Sequence, residues 1–102
     1  MIKLIREFAL TLDEKLYFYI DDGDGSWSFT FMKGKGKHRE NKPAYEHANG
    51  HKEWWLNDKL HRTDGPAIEY ANGSKRWFIE GIQFNDEEKY KEELLRQARD
   101  GR

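Results

Sequence analysis

The sequence predicts a mainly β fold of the α+β class: an antiparallel meander of β-hairpin repeats, closed by a C-terminal capping α-helix. Three observations predict it. The stretch from His38 to Asp58 reads again from His61 to Gly81, with ten of twenty-one positions identical. Asn-Gly recurs at the same place in both copies, as Asn49-Gly50 and Asn72-Gly73, between runs of β-prone residues, and this pair is the strongest short-range hairpin signal. After Phe84 the chain becomes highly charged, with a narrow apolar stripe at helical spacing. A unit of this length cannot bury its own apolar face, so the repetition points to stacked hairpins rather than to one catalytic constellation.

Taken in order, Ile2, Leu4, Phe8, Leu10 and Leu12 alternate as a strand does, although Ile2, Ile5, Ala9 and Leu12 also fit a helical stripe. The strand reading is preferred, with a return through Asp13, Glu14 and Lys15. Residues 16–22 and 26–32 then flank Asp24-Gly25 as a degenerate first hairpin, with Phe18, Ile20, Phe29 and Phe31 on one face. Gly34, Lys35, Gly36 and Lys37 read as a flexible basic connection. They lack the spaced glycines and Lys-Ser/Thr ending of a phosphate-binding loop.

In the two full repeats, a two-residue type I′ turn at each Asn-Gly sets the register. It places Tyr70 opposite Lys75, Ile68 opposite Trp77, Glu69 opposite Arg76 and Ala67 opposite Phe78, so Ile68, Tyr70, Trp77 and Ile79 share a core face. In the first copy it places Tyr45 opposite Trp54, Ala44 opposite Trp55 and Glu46 opposite Glu53, with Tyr45, Trp54 and Leu56 on the core face. Glu46 and Glu53 then need a cation between them, which Lys75 or Arg76 of the next unit could supply. At the C-terminus Asn85 is the expected cap and Glu88 the capping-box partner, ahead of an apolar stripe of Tyr90, Leu94, Leu95 and Ala98. That helix is expected to close the last open edge or face of the sheet. One domain is thus predicted over residues 1–102, made of N-terminal strands with the degenerate hairpin (1–36), two repeats (37–84) and a helix (85–100).

Composition narrows the function classes. A chain of 102 residues buries a thin core, which four Trp, five Tyr and six Phe would supply. Eighteen Lys and Arg balance nineteen Asp and Glu, so no global field steers the chain onto nucleic acid or an anionic membrane. Without cysteine there is no disulfide, zinc thiolate or thiol nucleophile, in keeping with a reducing cytoplasm. No apolar run approaches a membrane span, and Lys3, Arg6 and Glu7 interrupt the N-terminal run too often for a signal peptide.

Two residue sets stand out for binding. Trp55 and Phe78 recur opposite alanines, near Arg76 and Glu53, and form the candidate protein-binding row. His38-Arg39 and His61-Arg62 recur at equivalent positions before Pro43 and Pro66. Their first reading is structural: His packs, Arg reaches a carboxylate and Pro begins a strand. The alternative is a phosphate, nucleotide or nucleic-acid site, using His38, Arg39, His61 and Arg62 with Lys35 and Lys37, and Trp55 for stacking. No metal site or cofactor is expected: the four His lack metal-ligand spacing, and Asp21, Asp22 and Asp24 read as a solvated turn. Ser26, Ser28 and Ser74 lie in or beside turns and belong to no recognisable nucleophile motif, so the chain is expected not to be an enzyme.

Along His61-Arg62-Thr63-Asp64-Gly65-Pro66-Ala67, Asn72-Gly73 and Trp77-Phe78, the chain resembles the short HRxDGPA…NG…W repeats of small proteins of tailed phages and large DNA viruses, which look like relatives of MORN-type hairpin repeats. The resemblance covers residues 37–84. The first copy departs from it, with Glu40-Asn41-Lys42 before Pro43. What the resemblance implies is a binding module for proteins or lipids, with no conserved catalytic set, followed by a helix. The expectation is therefore a cytoplasmic phage-type protein that binds a host or viral protein, such as an inhibitor of a host defence or metabolic protein, with self-association through sheet edges also expected.

Overall fold

The computed structural model describes residues 2–11, 13–21 and 23–100. Leu12 and Asp22, expected in the first strand and the first turn, lie outside the described residues. The fold is mainly antiparallel β with one C-terminal helix, as the sequence predicts. Its strands are β1 (Ile2–Ala9), β2 (Glu14–Asp21), β3 (Trp27–Lys33), β4 (Gly36–Lys37), β5 (Tyr45–His47), β6 (Lys52–Glu53), β7 (Trp55–Leu56), β8 (Lys59–Leu60), β9 (Ile68–Glu69), β10 (Lys75–Ile79) and β11 (Ile82–Phe84), and the helix is α1 (Glu87–Arg99). The main sheet runs β1-β2-β3-β5-β6-β9-β10-β11, β4 pairs with β3, and β7 and β8 form a separate two-stranded hairpin.

The N-terminal segment is a strand, resolving that ambiguity: β1 pairs antiparallel with β2, interrupted by a bulge between Leu4 and Arg6. The degenerate hairpin is β2–β3, where Phe18 faces Phe29, Leu16 faces Phe31 and Ile20 faces Trp27. Phe18, Ile20, Phe29 and Phe31 therefore share a face, as expected. Gly34 to Lys37 is a tight turn rather than a flexible connection, because Lys33 pairs with Gly36 and Met32 with Lys37.

The register of both repeats differs by one residue from the sequence expectation. Lys75 faces Glu69 and Arg76 faces Ile68, while Tyr45 faces Glu53 and Glu46 faces Lys52. The cause is the turn. Each loop has three residues, and only its glycine takes positive φ, Gly50 at 100° and Gly73 at 91°. The Asn instead uses its side chain: Asn49 Oδ1 accepts from the His51 N–H and Asn72 Oδ1 from the Ser74 N–H, each at 2.9 Å. A one-residue slip turns one strand's side chains over relative to its partner. Ile68 and Tyr70 thus share a face with Arg76 and Phe78, whereas Trp77 and Ile79 lie on the face of Ala67 and Glu69. Likewise Tyr45 shares a face with Glu53 and Trp55, and Trp54 lies on the other. Glu46 and Glu53 point to opposite faces, so no cation is needed between them, and each cross-strand Glu–Lys pair contributes about 0.2–1 kcal/mol.

Two-residue primed turns do occur, but elsewhere. Asn57-Asp58, with φ of 51° and 66°, joins β7 to β8, and Glu80-Gly81, with φ of 49° and 84°, joins β10 to β11. Gly34-Lys35 occupies the same place one unit earlier, so Gly34, Asn57 and Glu80 are evenly spaced along the chain. The repeated histidines explain how two non-glycine residues tolerate this conformation. His38 Nδ1 accepts from the Asn57 N–H and His61 Nδ1 from the Glu80 N–H, each at 2.9 Å, so each histidine closes the turn at the end of its own unit.

The molecule is a slab, with principal extents of 47 × 35 × 15 Å. Its buried apolar residues are Ala44, Trp54, Ala67, Ile68, Ile79 and Tyr90. Extending the ladders aligns Phe31, Ala44, Trp54, Ala67 and Trp77 in one row across the sheet, so an alanine with no exposed surface separates each aromatic from the next. The helix starts one residue later than expected: Asp86, not Asn85, is the N-cap, and its carboxylate accepts from the Lys89 N–H at 2.9 Å. That removes Glu88 from the capping-box position, which Lys89 occupies instead. The helix packs on β10 and β11. Of its apolar stripe Tyr90 is buried and Leu94 half-buried, whereas Leu95 and Ala98 are exposed.

Candidate functional site

The observed register assembles the candidate protein-binding row on one face. Glu53, Trp55, Arg76 and Phe78 all fall on the side that also carries Tyr45, His51, Ile68 and Tyr70. Glu53 organises it. Its carboxylate accepts from the Trp55 indole N–H at 2.7 Å and pairs with His51 Nε2 at 2.7 Å, while Lys37 Nζ approaches to 3.8 Å. The Lys37 ammonium also lies 4.8 Å from the Trp55 ring centroid and 5.6 Å from that of Tyr45. The His51 ring stands between Tyr45 and Tyr70, with centroids 5.8 and 5.4 Å away, and the Arg76 guanidinium lies 5.5 Å from Tyr70. Burial pushes the Tyr45 hydroxyl above the usual tyrosine range; the Glu53 charge adds to this and a hydrogen bond with Ser28 opposes it. Glu53, His51 and Trp55 are half-buried, whereas Arg76 is exposed.

The repeated His-Arg pairs occupy equivalent surroundings. The Arg39 guanidinium carbon lies 3.8 Å from the Phe31 ring centroid and that of Arg62 3.8 Å from Trp54. Each arginine also donates to the carbonyl of its own proline, Arg39 to Pro43 at 3.3 Å and Arg62 to Pro66 at 3.0 Å. Arg62 further engages Asp64 at 2.8 Å and Glu69 at 3.1 Å. The Asp-Gly of the second copy follows from this packing, because a Cβ on Gly65 would come within 2.8 Å of the Arg62 guanidinium carbon. In the first copy Lys42 stands at that position and Asn41 takes φ of 64°.

Between the two loops lies a cleft of about 430 Å³, with residues 38–41 on one side, 61–64 on the other, and Trp54 and Leu56 between them. The structure thus gathers His38, Arg39, His61 and Arg62 at one cleft. It places Lys37 with Trp55 on the aromatic face, and Lys35 at the exposed β3–β4 turn. The sequence singled out the His-Arg pairs but held no sign that Trp54 and Leu56 join them, because the expected register put Trp54 in the core with Tyr45.

Asp21, Asp24 and Ser26 serve the first turn, where Asp21 Oδ1 accepts from the Gly23 N–H at 2.9 Å. Asp24 Oδ1 accepts from the Ser26 N–H and hydroxyl at 2.9 and 2.7 Å, and the hydroxyl bond holds the Asp24 carboxyl below the usual carboxylate range. Among the described residues, no three His, Cys, Asp or Glu side chains gather as metal ligands, and no helix is long and apolar enough to cross a membrane. Comparison of the chain with family models, with curated proteins and with solved structures finds no match.

Proposed function

We propose that this chain is a non-enzymatic protein-binding module of phage type that engages a host or viral protein through the face carrying Glu53, Trp55, Arg76 and Phe78. One observation carries the reading: four residues marked by the repeat share a face on which Glu53 fixes the Trp55 indole and the His51 ring by hydrogen bonds. Aromatic residues and arginine are enriched in protein interfaces, and side chains already held in place lose less freedom on binding. A small inhibitor of a host defence or metabolic protein, working in the host cytoplasm, suits this design. Self-association through sheet edges is a weaker part of the reading, since the β1 edge carries a bulge together with Arg6 and Glu7, both of which oppose edge pairing.

The test is capture from a bacterial lysate by tagged protein, repeated with Trp55→Ala, Phe78→Ala and Arg76→Glu. A single stoichiometric protein, lost in the variants while cooperative unfolding persists, supports the reading. Recovery of nucleotide or RNA with no protein would replace it with a phosphate-binding role for the cleft.

A further inference from the structure

The arginines of the two His-Arg pairs are seated alike but bonded differently. Each guanidinium carbon lies 3.8 Å from an aromatic centroid, and each side chain donates to the carbonyl of its own proline. Arg62 also meets two carboxylates, with Nε donating to Asp64 at 2.8 Å and Nη1 to Glu69 at 3.1 Å. Arg39 forms no ion pair among the described residues, and its guanidinium is engaged by the Pro43 carbonyl alone, at 3.3 Å.

The sequence accounts for the difference. Counting back one unit, Asp64 becomes Asn41, Gly65 becomes Lys42 and Glu69 becomes Glu46. Asn41 carries no charge. Lys42 brings the Cβ that, at the position of Gly65, would meet the Arg62 guanidinium carbon at 2.8 Å, so the first loop takes another course, with Asn41 at φ of 64°. Glu46 acts on Arg39 only as a charge at longer range, opposing the burial that lowers the pKa of this guanidinium. Glu40, the other carboxylate of the loop, lies 3.8 Å from His38 Nε2 and makes no ion pair with Arg39.

A half-buried guanidinium, held by a ring below it and a carbonyl beside it and with its other donors open, is a preorganised receptor for a planar anion. It lines the cleft of about 430 Å³. The other charges of that cleft balance, since Asp64 is paired with Arg62 and Lys33 offsets Glu40. Arg39 is the cation left over.

We propose that the cleft binds a carboxylate at Arg39, in the role that Asp64 fills at Arg62. The carboxylate accepts from the Arg39 Nε–H. It comes either from an acidic side chain of a partner protein or from a free organic acid. The proposal does not depend on the Trp55 face, so either can fail without the other.

The experiment is a titration of the full chain with isobutyrate, isobutyramide and N-acetyl-aspartate methylamide, followed through the Nε–H resonances of Arg39 and Arg62 in two-dimensional NMR. The expected result is a saturable shift of the Arg39 resonance with isobutyrate, an Arg62 resonance that stays in place, and binding of isobutyramide weaker by at least about tenfold. The double variant Asn41→Asp, Lys42→Gly gives the first loop the Asp-Gly-Pro of the second, supplies the carboxylate from within the chain, and should abolish the response. Equal response to the capped aspartate identifies a side-chain source, and its exclusion identifies a free acid. Should the double variant fail to fold, nuclear Overhauser contacts between the isobutyrate methyl groups and the Arg39 side chain in the unaltered chain decide the location. Shifts that do not saturate, isobutyramide binding as tightly as isobutyrate, an Arg62 resonance that moves with that of Arg39, contacts away from Arg39, or a folded double variant that still responds would overturn the proposal.

Discussion

The guanidinium of Arg62 lies over Trp54 at 3.8 Å, and Arg39 covers Phe31 at the same distance one unit earlier. In a slab this thin the arginines do part of the work of a second layer, shielding aromatic surface with a stem and a planar head while keeping their polar atoms bonded. Arg62→Ala would expose Trp54 and leave Glu69 and the Pro66 carbonyl without their partner. The expected loss is about 2–4 kcal/mol, read by urea unfolding, and Arg62→Lys should recover less than half, since an ammonium cannot stack and bond in the same way.

The register can be checked by double-mutant cycles. Glu69 and Lys75 should couple by about 0.2–1 kcal/mol, and Glu69 with Arg76 should not couple measurably. The reverse result would restore the two-residue Asn-Gly turn.

His61→Ala should destabilise the chain by about 1–2 kcal/mol, because the Glu80 N–H loses its acceptor while Glu80 keeps its left-handed backbone. Glu80→Gly in that background should recover part of the loss, since glycine relieves the strain. Absence of any recovery would show that the histidine acts through packing alone.

Ala67→Leu should cost about 1–3 kcal/mol, as Ala67 has no exposed surface and its row neighbours on either side are Trp54 and Trp77. Thermal unfolding measures it, and a neutral outcome would contradict the alternation of large and small residues across the sheet.

Burial holds the Tyr90 hydroxyl above the usual tyrosine range, with the Gly65 N–H opposing the shift. The folded chain therefore keeps this proton at a pH where the unfolded chain has lost it. The associated stability is complete below the ordinary tyrosine range and falls as pH rises through the folded value. Urea midpoints should decline above about pH 10, and the decline should be shallower in Tyr90→Phe.

The existence of the hairpins was legible because period and turn residues agree. Their register was not, because Asn in an Asn-Gly pair has two uses: it can take positive φ, or it can accept from the residue two places on, as Asn49 and Asn72 do. The primed turns were hidden for a related reason, since Glu80 carries no sign of a left-handed backbone; the common spacing of Gly34, Asn57 and Glu80 was the available signal. For the candidate row of Glu53, Trp55, Arg76 and Phe78, the residue types were readable from the repeat, but the company they keep was not. Which face Trp54 or Trp55 occupies depends on a single residue of register.

The histidine that opens each unit closes the turn that ends the same unit, His38 with Asn57 and His61 with Glu80, so a single bond ties the two ends of every unit together. A cut inside a unit leaves an open bond on both sides. Excision of one whole unit in phase joins like to like, with His38 taking over the Glu80 turn. Length is therefore quantised, and the protein can be lengthened or shortened only in whole steps.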